Sequence, residues 1–117
     1  MSEAKPYIAV PVAEDGESLW DDHFGEAPRF HLYDRGGQFV EQRDNPYWQD
    51  DHDVHTGPQK MVDLLPECGV FIARAMGNGQ RILPARYGVQ PVITTETTTQ
   101  GAIERYLADL KTSQDNR

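Results

Sequence analysis

Three of the four histidines lie in polar stretches that have the composition of loops. His23 follows two aspartates and precedes Phe24 and Gly25, while His52 and His55 lie three residues apart in an acidic stretch. A neutral imidazole binds iron, copper, zinc and related ions, and carboxylates can complete a mixed nitrogen and oxygen site. His23 is therefore the first candidate metal ligand, and His52 and His55, with the aspartates around them, are the second.

Each histidine also has an ordinary structural interpretation. His23 can fix its loop by a hydrogen bond, with Phe24 as an apolar plug in the core and Gly25 in a backbone conformation that favours glycine. The other two loop histidines can belong to a solvated acidic loop. His31 lies inside a predicted strand, so we expect it to pack or to face solvent.

A third candidate is a glycine-rich stretch that contains Met76, Gly77 and Asn78 and follows Arg74. A predicted helix begins there, and the N–H groups and positive end of a helix attract an anionic oxygen or a cluster sulfide. Arg74 can supply a counter-charge, although a plain strand-to-helix turn explains the same residues equally well. Cys68 lies between a predicted helix and a predicted strand, and we expect it to be a small buried hydrophobe outside the site.

Hydrophobic periodicity predicts the elements that position these residues. Strands are expected at 7–12, 29–34, 39–43, 70–73 and 89–94, with helices at 59–67, between the glycines at 77–79 and Gly88, and from the threonines at 97–99 to Leu110, before a polar tail at 111–117. A hairpin followed by alternating helices and strands predicts an α/β protein with a mixed sheet flanked by helices. In a meander, the loops after the first and third strands lie at one edge, and the loop at 74–79 joins them if the later two strands are parallel to the first. The three candidate stretches are then expected to frame one cleft.

Composition narrows the functional classes. The 117 residues fit one domain, 1–117, with an ordered core at about 7–110. The net charge of −8 and the pI of about 4.8 argue against nucleic-acid and membrane partners, and a single cysteine excludes a site made of several thiolates from one chain. The first predicted strand has no acid for a nuclease, and no nucleophile motif stands out, so we expect no enzyme. The amino terminus lacks a signal-peptide pattern, which predicts a cytoplasmic location.

A series of short motifs resembles the successive landmarks of the dinitrogenase iron-molybdenum cofactor biosynthesis family. The motifs are His23-Phe24-Gly25, Asn45-Pro46, His55-Thr56-Gly57, Cys68-Gly69-Val70, Ala75-Met76-Gly77-Asn78-Gly79, Tyr87-Gly88-Val89 and Thr99-Gln100-Gly101-Ala102-Ile103. Their order and spacing, from about Tyr7 to Leu110, are more specific than any one motif. At 48–57 this chain is longer and more acidic than the compact Gly-His-Gly stretch of many relatives.

The resemblance implies a ribonuclease-H-like five-stranded sheet in the order 3-2-1-4-5, with strand 2 antiparallel and three flanking helices. It also implies a non-catalytic, nitrogen-fixation-related protein that holds or delivers iron-molybdenum cofactor, its precursor or an iron-sulfur cluster. His23, His52 and His55 would be metal ligands, and Phe24, Gly25, Arg74 and the stretch at 76–78 would line the cofactor site. Donor and acceptor proteins would be the partners. The alternative is a regulatory or protein-interaction domain of the same fold that binds one divalent ion or no metal.

Overall fold

Five strands form one mixed sheet in this computed structural model, which describes residues 6–46, 57–76 and 79–115. The strands are β1 (Tyr7–Val12), β2 (Arg29–Tyr33), β3 (Phe39–Asp44), β4 (Cys68–Ala73) and β5 (Gln90–Ile93), in the order β3-β2-β1-β4-β5. β2 is antiparallel to both β1 and β3, and β4 is parallel to both β1 and β5. The predicted α/β class, strand order and antiparallel β2 are confirmed, and Pro91 lies in the edge strand β5, the position in a sheet that tolerates proline.

Helices occupy the connections that sequence periodicity assigned to them. They are α1 (Gly57–Leu64), α2 (Gly79–Ile82), which continues as a π-helical turn (Leu83–Tyr87), and α3 (Thr99–Asp115). α1 ends three residues before the predicted Glu67, since a residue that precedes proline, here Leu65, is disfavoured in the helical region. The predicted polar tail is wrong as far as Asp115, because polar residues without glycine or proline extend α3 without leaving an apolar pattern.

The two faces of the sheet carry separate apolar layers. Phe30 and Phe71 face α1 and the α2 segment, whereas Ile8 and Ile72 face α3. β1 and β4 are covered on both faces, which explains why their sequences are almost continuously apolar instead of alternating. No helix among the described residues is both long enough and apolar enough to span a membrane.

An ion-pair network ties edge strand β3 to the turn between α1 and β4. Arg43 donates from Nη1 and Nη2 to the two carboxylate oxygens of Glu67, at 2.9 and 3.0 Å, and also from Nη1 to the Leu64 carbonyl at 2.9 Å. Its Nε donates to Glu41 at 2.9 Å. The bidentate pairing fixes orientation as well as distance, so β3 is held against the helical layer that lies beside the candidate site.

The strand register brings three loops to one edge. Val12, at the end of β1, pairs with Arg29, and Arg29 pairs with Asp44 at the end of β3. β4 is parallel to β1, so its last residue, Ala73, lies at the same edge. The predicted common edge for the loops after β1, β3 and β4 is therefore confirmed, and ligands of open α/β sheets bind at such edges.

Candidate functional site

The turn that carries His23 is anchored by an aromatic side chain. Phe24 begins a short 3-10 helix, Phe24–Glu26, and is only 3% exposed. Its ring stacks between Phe30 and Phe71, with centroid distances of 4.8 and 4.5 Å. Phe24 is thus the apolar plug that the sequence predicted, and its burial fixes the backbone from which His23 projects. Contact between Phe24 and a cofactor stays a prediction.

The loop after β4 lies directly beside this turn. His23 and Ala75 form an isolated parallel bridge, and the Phe24 N–H donates to the Ala75 carbonyl at 3.0 Å. Arg74 is exposed next to this bridge, while Met76 is packed into the core. The first and third candidate stretches therefore meet as predicted, whereas Gly77 and Asn78 lie outside the described residues.

A buried amide joins the end of β3 to the same turn. Asn45 is 3% exposed, and its Nδ2 donates to the carbonyls of Ala27 and Gly25 at 2.8 and 3.1 Å. Its backbone N–H donates to the Pro28 carbonyl at 2.9 Å. Three loops are thus held together at one edge by hydrogen bonds and packing, as the meander predicted.

The second pair of candidate ligands falls between two described segments that flank the turn. His52 and His55 lie outside the described residues, so their predicted convergence with His23 stays a prediction. The described chain stops at Pro46, next to Asn45, and resumes with α1, whose Met61 side chain packs against Gly25. Asn45 and Met61, which lie on either side of that stretch in the described chain, therefore both contact the turn that carries His23.

Gly25 does not have the backbone conformation that was expected of it. The glycines with positive φ in the described ranges are Gly16, Gly37 and Gly88, so the prediction of a glycine-specific angle at Gly25 is wrong. The 3-10 helix instead gives Gly25 an ordinary right-handed conformation. A Cβ there would lie 3.5 Å from Met61 Cγ, an ordinary contact distance.

Two carboxylates that sequence reasoning missed lie beside the His23 ring. The Nδ1 atom is 3.5 Å from Glu26 Oε2 and 3.8 Å from Asp22 Oδ1, and the His23 side chain is 52% exposed. Asp22 Oδ1 also accepts the His23 backbone N–H at 2.8 Å. Side chains three residues apart eclipse one another in a 3-10 helix, so the spacing of His23 and Glu26 was an available signal once that turn was recognised.

This arrangement gives the two imidazole nitrogens different roles. The carboxylates favour a proton on Nδ1 and so leave the Nε2 lone pair available to a ligand, as carboxylates commonly do behind metal-bound histidines. Nδ1 itself lies close to one carboxylate oxygen of Asp22 and one of Glu26. The site therefore combines an exposed, oriented imidazole with local negative charge, and the nearest cation on the adjoining loop is Arg74.

Cys68 and Ser18 also carry potentially reactive groups, but each of them has another role in the structure. Cys68 is fully buried at the opposite edge, where it pairs with Tyr7, and burial raises the pKa of its thiol to about 12. The expectation that Cys68 is a small buried hydrophobe is confirmed. Ser18 donates its hydroxyl proton to Asp15 at 2.5 Å. That hydrogen bond and those from the N–H groups of Glu17 and Ser18 lower the pKa of Asp15 to about 2, so this serine is paired with an acid instead of with a histidine base.

These features define an α/β protein with a candidate ligand site at the carboxyl edge of its sheet, where an imidazole is exposed. The chain belongs to the dinitrogenase iron-molybdenum cofactor family, whose family model matches residues 6–109. The family is involved in the biosynthesis of that cofactor, which gives this chain a cofactor-related role in general terms.

Two relatives illustrate the match. The chain is 27% identical over 92 residues to the FeMo cofactor biosynthesis protein NifB of Frankia alni. The matched region covers 73% of this chain but only 18% of that relative. The NMR structure of a NifB-related protein from Thermotoga has a TM-score of 0.62 and 24% identity, with 86% of each chain covered. The second comparison supports the fold alone.

Proposed function

We propose that this chain is a non-catalytic carrier that binds iron-molybdenum cofactor, its precursor or a related iron-sulfur cluster through His23 Nε2 and delivers it to an acceptor protein. The observation that carries the proposal is an exposed imidazole on a rigid turn at the edge where three loops of a cofactor-biosynthesis family member meet. The donor and acceptor proteins, and the absence of catalysis, belong to the same proposal.

The rigidity of the turn favours ligation by His23. The backbone on both sides of His23 is fixed by the packing of Phe24, by the bridge to Ala75 and by the hydrogen bonds of the Asn45 amide. Little conformational freedom is therefore lost when a metal binds to His23. The ring itself stays half exposed, which leaves room for a cofactor larger than one ion. A site prepared in this way binds without rebuilding the core.

The same exposure favours release. An imidazole is a neutral, monodentate ligand, and the buried Cys68 thiol at the opposite edge adds no thiolate to the described part of the site. We propose that His52, His55 and the stretch containing Arg74, Met76, Gly77 and Asn78 supply further contacts. Few metal–protein bonds make transfer to an acceptor with more ligands thermodynamically favourable.

Anaerobic reconstitution tests the proposal. Wild type, His23→Ala and His31→Ala would be loaded with an iron-sulfur cluster and, separately, with a molybdenum-containing cluster, then desalted and assayed by metal analysis and visible spectroscopy. His31 is a matched control because its imidazole lies in β2 beside Gln42 and away from the turn. We expect cluster retention in wild type and His31→Ala and loss in His23→Ala.

Two results would contradict the proposal. Equal retention by all three proteins would remove His23 from the site, and equal failure of all three to retain either cluster would remove carriage itself. Circular dichroism of each variant before loading separates loss of a ligand from loss of the fold.

A further inference from the structure

We propose that His23 Nδ1, Asp22 and Glu26 form a site for one divalent transition-metal ion, which binds in place of the cofactor because a neutral imidazole donates only one lone pair. In the described part of the chain, these side chains offer one nitrogen and two oxygen donors that all lie within 4.8 Å of one another. The inference goes beyond cofactor carriage, since it uses the other imidazole nitrogen and two carboxylates to which the proposed carrier function gives no metal-binding role.

Two of the three separations between the donors are close to those around a single ion. Metal–nitrogen and metal–oxygen bonds of about 2.0–2.2 Å at angles between 90° and the tetrahedral value place neighbouring donors roughly 3.0–3.5 Å apart. Nδ1 lies 3.5 Å from Glu26 and 3.8 Å from Asp22, and the three donors all lie within 4.8 Å of one another, so closure requires the two carboxylates to move toward each other by up to about 1–2 Å. The Asp22 and Glu26 side chains are 60% and 27% exposed, which leaves them room to make these shifts.

The donor set selects the kind of ion. One imidazole and two carboxylates suit borderline ions such as Mn²⁺, Fe²⁺, Co²⁺ and Zn²⁺, whereas Mg²⁺ and Ca²⁺ favour oxygen donors throughout. Three protein donors on an exposed turn leave the remaining coordination positions to water. The two carboxylates together offset the charge of a divalent ion, so binding relieves the repulsion between them in a chain whose net charge is already −8.

The backbone around the donors is prepared for binding. Asp22 and Glu26 flank His23 in sequence, and the 3-10 helix that begins at Phe24 holds Glu26 on the same side as the ring. The Phe24 ring and the Ala75 bridge hold this backbone independently of any ion. We therefore expect the fold to be unchanged when the ion is removed.

Titration with Co²⁺ alone tests the site, because cobalt reports its ligands through visible absorption. The proteins would be wild type, Glu26→Gln, Asp22→Asn, the double variant His52→Ala/His55→Ala, and Asp21→Asn as the matched control. Asp21→Asn removes the same charge from the neighbouring exposed residue, which lies outside the donor group. We expect one ion per chain in wild type, Asp21→Asn and the double variant, and at least roughly tenfold weaker binding in Glu26→Gln and Asp22→Asn.

Equal affinity of Glu26→Gln and Asp21→Asn would overturn the proposal, as would the loss of cobalt binding in the histidine double variant. Absence of one-to-one binding in wild type would overturn it as well. Cluster loading of Glu26→Gln separates the two proposals: a variant that retains the cluster but not Co²⁺ supports both, whereas wild type that binds Co²⁺ but no cluster refutes carriage alone.

Discussion

Replacement of Asn45 by alanine removes two hydrogen bonds that join the end of β3 to the turn bearing His23. The Ala27 carbonyl, at 2.8 Å from Nδ2, lies in buried surroundings, where an unsatisfied acceptor costs about 1–3 kcal/mol. The Gly25 carbonyl, at 3.1 Å, is only partly buried and can regain water, so its loss costs roughly 0.5–1.5 kcal/mol. We therefore expect the free energy of unfolding to fall by about 1.5–4.5 kcal/mol, which is a large part of the stability of a small domain.

Urea denaturation followed by circular dichroism measures this change. Gln42→Ala is the control, because Gln42 is exposed on the same strand and its side chain contacts His31 instead of the turn. We expect Gln42→Ala to cost less than about 1 kcal/mol. If Asn45→Ala costs no more than the control, the amide does not hold the loops together, and the account of how the edge is positioned is wrong.

Three further predictions concern the rest of the fold. Arg43 lowers the pKa of Glu67, so this pair stabilises the fold above the ordinary glutamate pKa of about 4.3 and the effect is lost as pH falls through the lower folded value. In the Glu67→Gln variant, the free energy of unfolding should therefore decrease less steeply as the pH is lowered through the acid range. An unchanged pH dependence would refute the assignment of this effect to the Arg43–Glu67 pair. Since burial raises its pKa to about 12, Cys68 should react with a thiol reagent only through unfolding, whereas rapid labelling of native protein would contradict its burial. Gly37→Ala should lower the free energy of unfolding more than Gly16→Ala does. Both glycines have a positive φ, but only a Cβ at Gly37 would lie 2.6 Å from a side chain of α3, that of Leu107. Equal losses would show that this side chain moves away without cost.

The sequence was sufficient to predict the sheet because its signals are local and redundant. The predicted bounds of β1 match the observed strand, and two glycines follow Asp34 where the hairpin between β2 and β3 turns. Asp34 accepts the N–H groups of Gly36 and Gln38, which is the ordinary reason for an aspartate before such a turn. These signals, with the apolar runs of β1 and β4, leave few alternative sheet topologies.

The candidate site was predictable only in part because its geometry depends on an aperiodic turn. The resemblance and the loop composition singled out His23, but nothing in the pattern showed that residues 24–26 form a 3-10 helix. Without that helix, Glu26 has no reason to lie beside the His23 ring, and Gly25 was wrongly given a positive φ. The Asn45 side chain donates to Ala27 and Gly25, which precede it by 18 and 20 positions in the sequence. Hydrophobic periodicity gives no information about contacts at that separation.

The charges around His23 connect the two proposed ligands. Two carboxylates near Nδ1 repel a cofactor that presents sulfide at Nε2, by less than the roughly 1 kcal/mol that two unit charges about 4 Å apart in water would give, because the imidazole ring keeps them farther apart. A divalent ion on Nδ1 would take the single lone pair that a neutral imidazole donates and leave the proton on Nε2, so the ion and the cofactor compete for His23, and by linkage each weakens the binding of the other. The repulsion by the carboxylates and the arrival of an ion would therefore both favour release of the cofactor. The carboxylates that look unsuited to an anionic cofactor are therefore a means by which its affinity can be adjusted.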